Sequence, residues 1–342
     1  MIGFLTALAL IWGGGHFLGF PVRMRTGLTV ILFAALLLAH GLLPADHPLP
    51  RAIGGSFAGW ATLAGALVLV AAYVRALAWL KARAPEPVAP PTGPFSETEL
   101  DRYARHIVLR EIGGPGQKAL KNARVLVVGA GGLGSPALLY LAAAGVGTIG
   151  VIDDDTVSNS NLQRQVIHTD ADIGTPKVFS ARDAMLALNP HIQVRPYNRR
   201  LSEEIAAELF ADYDLILEGT DNFATRYLVN RVAAGLGKPV IGGAISQWEG
   251  QLATWHPASG APCYACVFPE APAPGLAPTC AEAGVIGPLP GVIGTMMAGE
   301  AVKELTGAGE GLRGRLLIWD GLFAEARIIK TKKRADCPVC GS

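Results

Sequence analysis

The chain has 342 residues, half of them apolar, and a formal net charge of +1. This near-neutral charge, together with the lack of a basic stripe interleaved with aromatic residues, gives no reason to expect a nucleic-acid partner. The apolar residues are concentrated at the N-terminus, because residues 1–80 are almost uncharged whereas the remainder has the composition of a soluble domain.

Three apolar stretches occupy residues 2–20, 27–43 and 57–80. A helix needs about 20 apolar residues to cross the hydrocarbon core of a bilayer, so we expect two or three transmembrane helices. Three consecutive glycines from Gly13 weaken the first helix, which could equally be an interfacial or re-entrant segment. A cleaved signal peptide is the alternative for the N-terminus, but a charged n-region and a clear cleavage site are both missing.

Basic side chains follow the first stretch and close the third, whereas the loop between the second and third holds one acid and one base. Because positive residues favour the cytoplasmic side, we expect residues 1–83 to form a multi-pass region of the inner (plasma) membrane, with the C-terminal domain in the cytoplasm. Three spans with an outside N-terminus fit, as do two spans with an inside N-terminus. The side chains concerned are Arg23, Arg25, Arg75, Lys81 and Arg83, with Asp46 and Arg51 in the loop.

Residues 84–95 are rich in proline and predict an extended linker, since proline fixes φ and donates no hydrogen bond to a helix. The linker separates the membrane region from a domain that covers residues 96–342. Ser96 and Glu99 have the spacing of a capping box and predict a helix that runs toward Arg110.

Short apolar strands then alternate with helices. Residues 124–129 are a continuous apolar run, as expected for a strand buried on both faces of a parallel sheet. Residues 136–144 predict a helix and residues 148–153 a second strand, so the pattern indicates a doubly wound, mostly parallel, Rossmann-like α/β sheet. Further strands are expected at residues 193–195, 215–218 and 239–242.

A glycine-rich turn follows the first predicted strand, with Gly129, Gly131, Gly132 and Gly134. Glycine permits a tight turn and a close backbone approach, and the next helix offers free N–H groups to a phosphate. Asp153 ends the second strand, where a carboxylate can accept hydrogen bonds from ribose hydroxyls. The pattern predicts a nucleotide site but does not identify the nucleotide.

Loops after the predicted strands carry acids, amides and cations. Nucleotidyl transfer needs such groups, because negative charge on phosphate oxygens must be met by cations and a metal ion, whereas hydride transfer needs few of them. Arg164 and Lys177 can supply the cations, and Asp221 can hold a magnesium ion. The other candidates in these loops are Asp155, Asn161, Gln165 and Asn222.

The cysteines form two pairs and one remainder. Cys263 and Cys266, like Cys337 and Cys340, are separated by two residues, and two such turns complete a tetrahedral, structural zinc site with four cysteine ligands. Two disulfides are the alternative, but a cytoplasmic domain keeps its thiols reduced; iron could also replace zinc. Cys280 is left over, either as a nucleophile or as an idle thiol.

From Ser96 to Cys340 the sequence resembles the ThiF/MoeB/HesA family, relatives of ubiquitin-activating enzymes. The resemblance lies in several segments rather than in the glycine turn alone. The matching segments are Arg102-Tyr-x-Arg105, the turn at Gly129, Asn161-Leu-Gln-Arg-Gln165, Lys177, Thr220-Asp-Asn222, Gly250-Gln251 and Thr279-Cys280-x-Glu-Ala-Gly284.

The resemblance implies a homodimer in which each α/β domain binds ATP. It also implies adenylation of the terminal carboxylate of a ubiquitin-like sulfur-carrier protein ending in Gly-Gly, giving an acyl-adenylate and pyrophosphate, as in molybdopterin- and thiamine-type sulfur transfer. Because no rhodanese-like extension follows Ser342, we expect a separate sulfur donor. The carrier and its pathway are not identified.

The resemblance also implies individual roles. Gly132 lies against the phosphates, Asp153 holds the ribose, and Arg164 and Lys177 neutralise the phosphates. Arg105 reaches the phosphates of the partner subunit, and in some relatives a cysteine in the segment of Cys280 becomes covalently linked to the carrier. The remaining expectations are that Asp221 is linked to magnesium beside Asn222, that Asn161 and Gln165 hold triphosphate or loop geometry, and that Asp155 caps its loop or acts directly.

Three other functions remain open on the sequence. An NAD- or FAD-dependent oxidoreductase shares the glycine turn but gives Arg164, Lys177 and Asp221 no role. A membrane scaffold would bind the nucleotide without turning it over. Relatives that act on a transfer RNA base or on a peptide use the same adenylation chemistry.

Overall fold

The structure is a computed structural model that describes residues 2–44, 46–83, 93–273 and 280–341, except for the side chains of Ile2, Cys280 and Ala281. The chain divides into two compact units, Met1–Pro90 and Pro91–Ser342. The predicted linker lies outside the described residues from 84 to 92.

The N-terminal unit is helical. Two of its helices, Val22–Leu42 and Phe57–Arg83, are long and apolar enough to cross a membrane, judged by length and composition. The first apolar stretch does not form a third such helix: a π-helical turn at Leu10–Gly14 takes up the glycines, and Gly19 has a positive φ after the helix ends. The α-helices are α1 (Ile2–Ala9), α2 (Gly15–Phe17), α3 (Val22–Leu42), α4 (Pro48–Ile53) and α5 (Phe57–Arg83).

Aromatic rings join the helices of this unit. The Phe4 ring of α1 meets Phe33 of α3 at a centroid distance of 5.1 Å and Trp60 of α5 at 4.8 Å. The Trp60 indole N–H also donates to the Gly54 carbonyl oxygen, at 2.9 Å. Trp60 is therefore buried although most of α5 is exposed.

The C-terminal unit contains an eight-stranded sheet in the order β3-β2-β1-β4-β5-β6-β7-β8. The first five strands in this order are parallel, and the last three are added antiparallel. The sheet is mixed, so the prediction of a mostly parallel sheet holds for one half only. The strands are β1 (Arg124–Val128), β2 (Thr148–Asp153), β3 (Gln193–Asn198), β4 (Leu215–Glu218), β5 (Val240–Ser246), β6 (Glu249–Trp255), β7 (Arg315–Asp320) and β8 (Glu325–Lys330).

Helices cover both faces of the parallel half. Alternate residues of β1 point to opposite faces, so that Val125 and Val127 enter one apolar cluster and Leu126 and Val128 another. The helices that supply the first cluster are α7, α8, α9 and α14, and those of the second are α10, α11 and α12. Their bounds, with α6 and α13, are α6 (Glu97–Ile107), α7 (Gly113–Asn122), α8 (Gly134–Ala144), α9 (Lys177–Leu188), α10 (Glu203–Ala211), α11 (Phe223–Gly235), α12 (Tyr264–Val267), α13 (Cys280–Ala283) and α14 (Pro288–Thr306).

The capping box at Ser96 is present. The Ser96 hydroxyl accepts a hydrogen bond from the Glu99 N–H at 3.3 Å, and Glu99 Oε2 accepts one from the Ser96 N–H at 2.9 Å. Helix α6 ends at Ile107, not near Arg110, because the chain turns at residues 108–112 before α7 begins. Phe95, the last residue of the predicted linker, is buried in this unit.

Strand order reverses between β1 and β4, since β2 lies on one side of β1 and β4 on the other. A crevice opens at the carboxyl ends of the strands where the order reverses, and ligands of open α/β sheets bind there. The loops that follow β1, β2 and β4 meet at this crevice.

Candidate nucleotide site

A cleft of about 680 Å³ lies at the carboxyl ends of β1, β2 and β4. It brings together most of the residues predicted for the nucleotide, although they come from distant parts of the sequence. Those that line the cleft are Gly129, Gly131, Gly132, Asp153, Asp155, Arg164, Gln165, Lys177, Asp221 and Asn222.

The glycine turn brings the start of α8 against the end of β1. A Cβ atom at Gly134 would lie 1.9 Å from the Gly129 carbonyl oxygen, so only glycine permits this approach. No side chain of the described residues caps α8 at Leu133. The Ser135 N–H donates to the Gly131 carbonyl oxygen at 2.9 Å, and Pro136 has no N–H. The N–H groups available to an anion are therefore those of Gly132 and Leu133, which line the cleft just before α8. Gly134 itself does not line the cleft and acts by fixing the turn.

Asp153 holds the turn from the neighbouring strand. Its carboxylate accepts hydrogen bonds from the Ala130 N–H at 2.7 Å and from the Asp155 N–H at 2.8 Å. Burial raises the pKa of Asp153 above its usual value, although the nearby Lys177 charge and these N–H groups act against the increase. The side chain therefore positions the turn as well as facing the cleft.

His168 holds the same peptide from the other side and was not predicted. Its Nε2–H donates to the Ala130 carbonyl oxygen at 3.0 Å, and its Nδ1 lies 2.8 Å from the Ser180 hydroxyl. Burial lowers the pKa of His168, which favours the neutral ring. Because Ser180 and Lys177 both belong to α9, the imidazole links the glycine turn to the helix that carries the lysine.

Lys177 is paired within the cleft. Its ammonium donates to Asp155 Oδ2 at 2.6 Å, and the lysine side chain is 4% exposed against 65% for the aspartate. Asp155 thus contacts the Lys177 ammonium. The sequence alone did not decide whether Asp155 caps its loop or has a direct role.

Arg164 keeps an uncompensated charge. Its guanidinium donates to the Ser160 carbonyl oxygen at 3.3 Å and to Asn161 Oδ1 at 3.1 Å, and no acidic partner occurs in the described ranges. Asn161 does not line the cleft and orients this arginine. Both acceptors are neutral, so the positive charge is available to a phosphate.

Amides complete the lining. Gln165 is 5% exposed, and its Oε1 has no hydrogen-bond partner among the residues that the structure describes. An orphaned buried acceptor is costly unless a ligand or water supplies a donor. Asn222 caps α11, its Oδ1 accepting from the Thr225 N–H at 2.8 Å, and the adjacent Asp221 is exposed.

A buried ion pair fixes the loop after β4. Arg226 donates to Glu218 at 3.1 Å and to the Thr220 carbonyl oxygen at 2.9 Å. Glu218 also accepts from the Thr220 N–H at 2.8 Å. Although burial acts against the charge, the Glu218 carboxylate raises the pKa of Arg226. Neither residue was predicted to serve the site, yet an acid ending a fully buried apolar strand was a usable signal.

Two predicted site residues are not placed in this cleft. Arg105 is exposed on α6 and does not line the cleft of its own chain, and the side chain of Cys280 lies outside the described residues.

The four paired cysteines converge in a separate cluster. Their sulfur atoms lie 3.6 Å apart for Cys263 and Cys337, 3.4 Å for Cys266 and Cys340, and 3.9 Å for Cys263 and Cys266. Tetrahedral Zn–S bonds of about 2.3 Å place sulfurs about 3.8 Å apart, whereas a disulfide requires about 2.05 Å. N–H donors of Asn230 and of Arg334 approach two of these sulfurs, as they do in thiolate sites. The cluster is compatible with zinc.

The fold and the cleft define a Rossmann-like α/β nucleotide-binding domain with cations placed for phosphate chemistry. The model of the ThiF family matches residues 103–339, and the chain belongs to this family.

The chain is 50% identical over 251 residues to the "Sulfur carrier protein adenylyltransferase" of Thermus thermophilus, covering 72% of this chain and 93% of that protein. It is 50% identical over 244 residues to the "SAMP-activating enzyme E1" of Haloferax volcanii, covering 71% and 90%. For the "Probable adenylyltransferase/sulfurtransferase MoeZ" of Mycobacterium tuberculosis the identity is 51%, and the match spans 65% of that protein.

Solved structures show the same fold at low identity. A structure of E. coli MccB with ATP has a TM-score of 0.61 and 22% identity, covering 73% of this chain and 77% of that one. A structure of PaaA has a TM-score of 0.62 and 24% identity, with coverage of 77% and 82%.

Replacement of His168 tests the link across the glycine turn. We expect His168→Phe to weaken ATP binding about tenfold, because the buried Ala130 carbonyl loses its donor, and His168→Gln to retain more of the affinity. Isothermal titration would measure this. The matched control is His191→Gln, since His191 is exposed. Equal affinity in all three variants would contradict the assigned contact.

The same histidine gives a pH dependence. The pKa of His168 in the folded state lies below the usual 6.5. The free energy of unfolding that its neutral ring supports is therefore fully present above pH 6.5. It falls as the pH drops from 6.5 toward the folded-state pKa, because the unfolded chain takes up the proton first. Denaturant unfolding between about pH 5 and 8 should show this. Burial also lowers the pKa of His256. His168→Gln should therefore remove only part of the pH dependence of the free energy of unfolding.

Metal analysis tests the cysteine cluster. We expect about one zinc per chain, lost in Cys263→Ser together with a lower unfolding temperature, since a structural zinc stabilises the segments that it joins. Cys280→Ser is the matched control and should keep the metal. The assignment would be disproved if the protein held no metal and the four cysteines formed two disulfides. The disulfides would be seen as a lower mass than that of the reduced chain and as a lack of free thiols in the cluster.

Proposed function

We propose that the chain is an adenylyltransferase that uses ATP to activate the terminal carboxylate of a ubiquitin-like sulfur-carrier protein ending in Gly-Gly. The observation that carries the proposal is the 50% identity to a sulfur carrier protein adenylyltransferase across 93% of that protein. The gathering of cationic and polar groups around the glycine turn supports it independently.

The residues of the cleft divide the work of binding ATP. The N–H groups of Gly132 and Leu133, just before α8, receive the phosphates. Asp153 accepts from the ribose hydroxyls while keeping the turn in place. The orphaned Gln165 Oε1 takes a hydroxyl or water donor. The unpaired Arg164 guanidinium neutralises phosphate oxygens.

Lys177 acts by exchange of partners. Its ammonium is held by the carboxylate of Asp155, which is exposed and so easily solvated. An exposed partner contributes little stability, and a triphosphate offers a larger negative charge to the same cation. Lys177 is therefore prepared for a phosphate without being left as an unpaired buried charge.

Asp221 is the residue proposed to hold magnesium, with Asn222 beside it. A carboxylate at the mouth of the cleft suits a hard cation that binds jointly to phosphate oxygens. Bound there, magnesium would neutralise charge on the phosphates and on the leaving pyrophosphate.

The reaction is an in-line displacement. A carboxylate oxygen of the carrier attacks the α-phosphorus of ATP, the bond from that phosphorus to the bridging oxygen breaks, and pyrophosphate leaves. The attacking group is already ionised at neutral pH, so no general base is needed. Arg164 and Lys177 stabilise the charge that builds on the phosphate oxygens. A nucleophilic sulfur from a separate donor then attacks the acyl carbon of the acyl-adenylate, the bond from that carbon to the phosphate oxygen breaks, and AMP leaves.

Other parts of the chain support this chemistry. In a homodimer, Arg105 would reach the phosphates bound by the partner subunit, which explains its distance from its own cleft. Cys280 is proposed as a thiol that can receive the activated carrier. Zinc at the four thiolates would hold the C-terminal segment to α12 and leave no open coordination position.

For the N-terminal region, residues 1–83, we propose a membrane anchor with α3 and α5 as spans and both ends in the cytoplasm. The basic residues support this orientation, because Arg23 and Arg25 start α3, and Lys81 and Arg83 end α5. The enzyme would thus be a multi-pass protein of the inner (plasma) membrane with its catalytic domain in the cytoplasm.

Pyrophosphate exchange tests the chemistry. We expect ATP–pyrophosphate exchange only when a Gly-Gly carrier is supplied, and a loss of about 100-fold or more in Arg164→Ala, Lys177→Ala and Asp221→Ala. Arg182→Ala is the matched control, because Arg182 lies on α9 with Lys177 but outside the cleft and pairs with Asp183. Exchange without a carrier, or full exchange in the three variants, would rule out the proposal.

Extraction tests the anchor. The full chain should remain with membranes in alkaline carbonate. Leu67→Lys with Val70→Lys should release it, because each lysine near the centre of a span costs about 2.5–3.5 kcal/mol, whereas the matched change Lys81→Arg should not. Release of the unaltered chain would show that α3 and α5 do not span the bilayer.

A further inference from the structure

The sheet of the C-terminal unit has two edges of different chemistry. The nucleotide cleft lies at the carboxyl ends of the parallel strands, so the opposite edge is formed by their amino ends. Antiparallel pairing brings the beginning of β7 and the end of β8 to this second edge, with Arg315 opposite Lys330. We call it the amino-end edge.

Three lysines lie at the end of β8 and just beyond it, and they add positive charge to this edge. Lys330, Lys332 and Lys333 are exposed, and none has an acidic partner in the described part of the chain. The arginines beside them are neutralised, Arg313 by Glu304 and Arg315 by Glu310. Among the described residues around the ends of β7 and β8, the positive charges without an acidic partner are therefore those of the lysines.

Two of the lysines, Lys332 and Lys333, line a surface cavity of about 420 Å³. The Thr331 hydroxyl lines the same cavity and has no hydrogen-bond partner among the described residues. Ammonium groups with a hydroxyl donor beside them can receive a phosphate group. The lining includes Lys332, Lys333, Arg313, Thr331 and Ser259.

The polypeptide enters the unit at the same edge. Lys121, at the end of α7, donates to the Pro94 carbonyl oxygen at 2.7 Å. The preceding Leu120 carbonyl accepts from the Gly147 N–H at 3.0 Å, just before β2 begins. Pro94 thus lies near the amino ends of β1 and β2, on the side of the sheet away from the cleft.

The chain before this point is short. Residues 84–92 separate α5 from the first described residue of the unit, Gly93. The covalent chain from Arg83 to Gly93 can reach at most about 35 Å. With α5 in a bilayer, the covalent chain keeps Gly93, where the unit begins, within that distance of the end of α5.

We propose that the amino-end edge is a docking surface for anionic phospholipid headgroups, with Lys330, Lys332 and Lys333 contacting their phosphates. The inference rests on the proposed membrane anchor. Exposed lysines of a domain that is tethered to a membrane are attracted to the anionic cytoplasmic leaflet. Docking turns the opposite edge, with the nucleotide cleft, toward the cytoplasm, where the carrier protein diffuses.

Amine labelling of the full chain in nanodiscs tests the proposal. With a mixture of phosphatidylglycerol and phosphatidylcholine, labelling of Lys330, Lys332 and Lys333 should be about threefold slower than with phosphatidylcholine alone, and about 0.5 M salt should abolish the difference. Radical oxidation of Phe323, which is 71% exposed beyond the other end of β8, should be equal in both lipids.

Charge variants sharpen the test. Lys332→Glu with Lys333→Glu should remove the protection of Lys330, whereas Lys332→Arg with Lys333→Arg should preserve it; both should retain carrier-dependent exchange. Equal labelling in the two lipids, or protection by soluble RNA or an acidic protein but not by phosphatidylglycerol, overturns the docking surface. Failure of the anchor is distinguished by loss of the chain from the nanodisc fraction.

Discussion

The contact between the start of α8 and the end of β1 sets the geometry of the nucleotide site. Gly134 lies so close to the Gly129 carbonyl oxygen that a methyl group cannot be inserted, and this approach places the turn before α8, with Gly132 and Leu133, against the cleft. The turn itself is held from two sides, since the Ala130 N–H donates to Asp153 and its carbonyl accepts from His168. A phosphate-binding turn thus owes its rigidity to side chains from β2 and from the segment before α9.

The second fixed element is the Glu218–Arg226 pair below the loop after β4. Breaking a buried pair by removing one partner costs about 3–5 kcal/mol, because the other charge remains buried. Here both charged groups are also hydrogen-bonded to the Thr220 peptide. The buried ion pair therefore also positions the next residue, Asp221. Stability and the placement of Asp221, the carboxylate proposed for magnesium, therefore depend on one interaction.

Sequence patterns predicted what depends on local chemistry. The strands 148–153 and 215–218 have the predicted bounds, and the cleft contains Asp153, Arg164 and Lys177 as expected. What failed depends on tertiary pairing. The antiparallel strands β6–β8 were not predicted, because β6 and β8 mix polar with apolar residues and β7 finds its place only by pairing with the distant β6. The partner of Lys177, Asp155, lies 22 positions away. His168 and Ser180 meet only because α9 folds back beside the turn.

The structure also shows where the N-terminal region, proposed as a membrane anchor, is joined to this family domain. The family match begins at residue 103, within α6. The capping box fixes the start of that helix, and Lys121 bonds both Glu99 and the Pro94 carbonyl oxygen, so the point of attachment is anchored at the amino-end edge. The loops after β1, β2 and β4, which form the cleft, leave the opposite edge of the sheet. Because a parallel sheet separates the two ends of its strands, the cleft and the point of attachment at Pro94 lie at opposite ends of the strands.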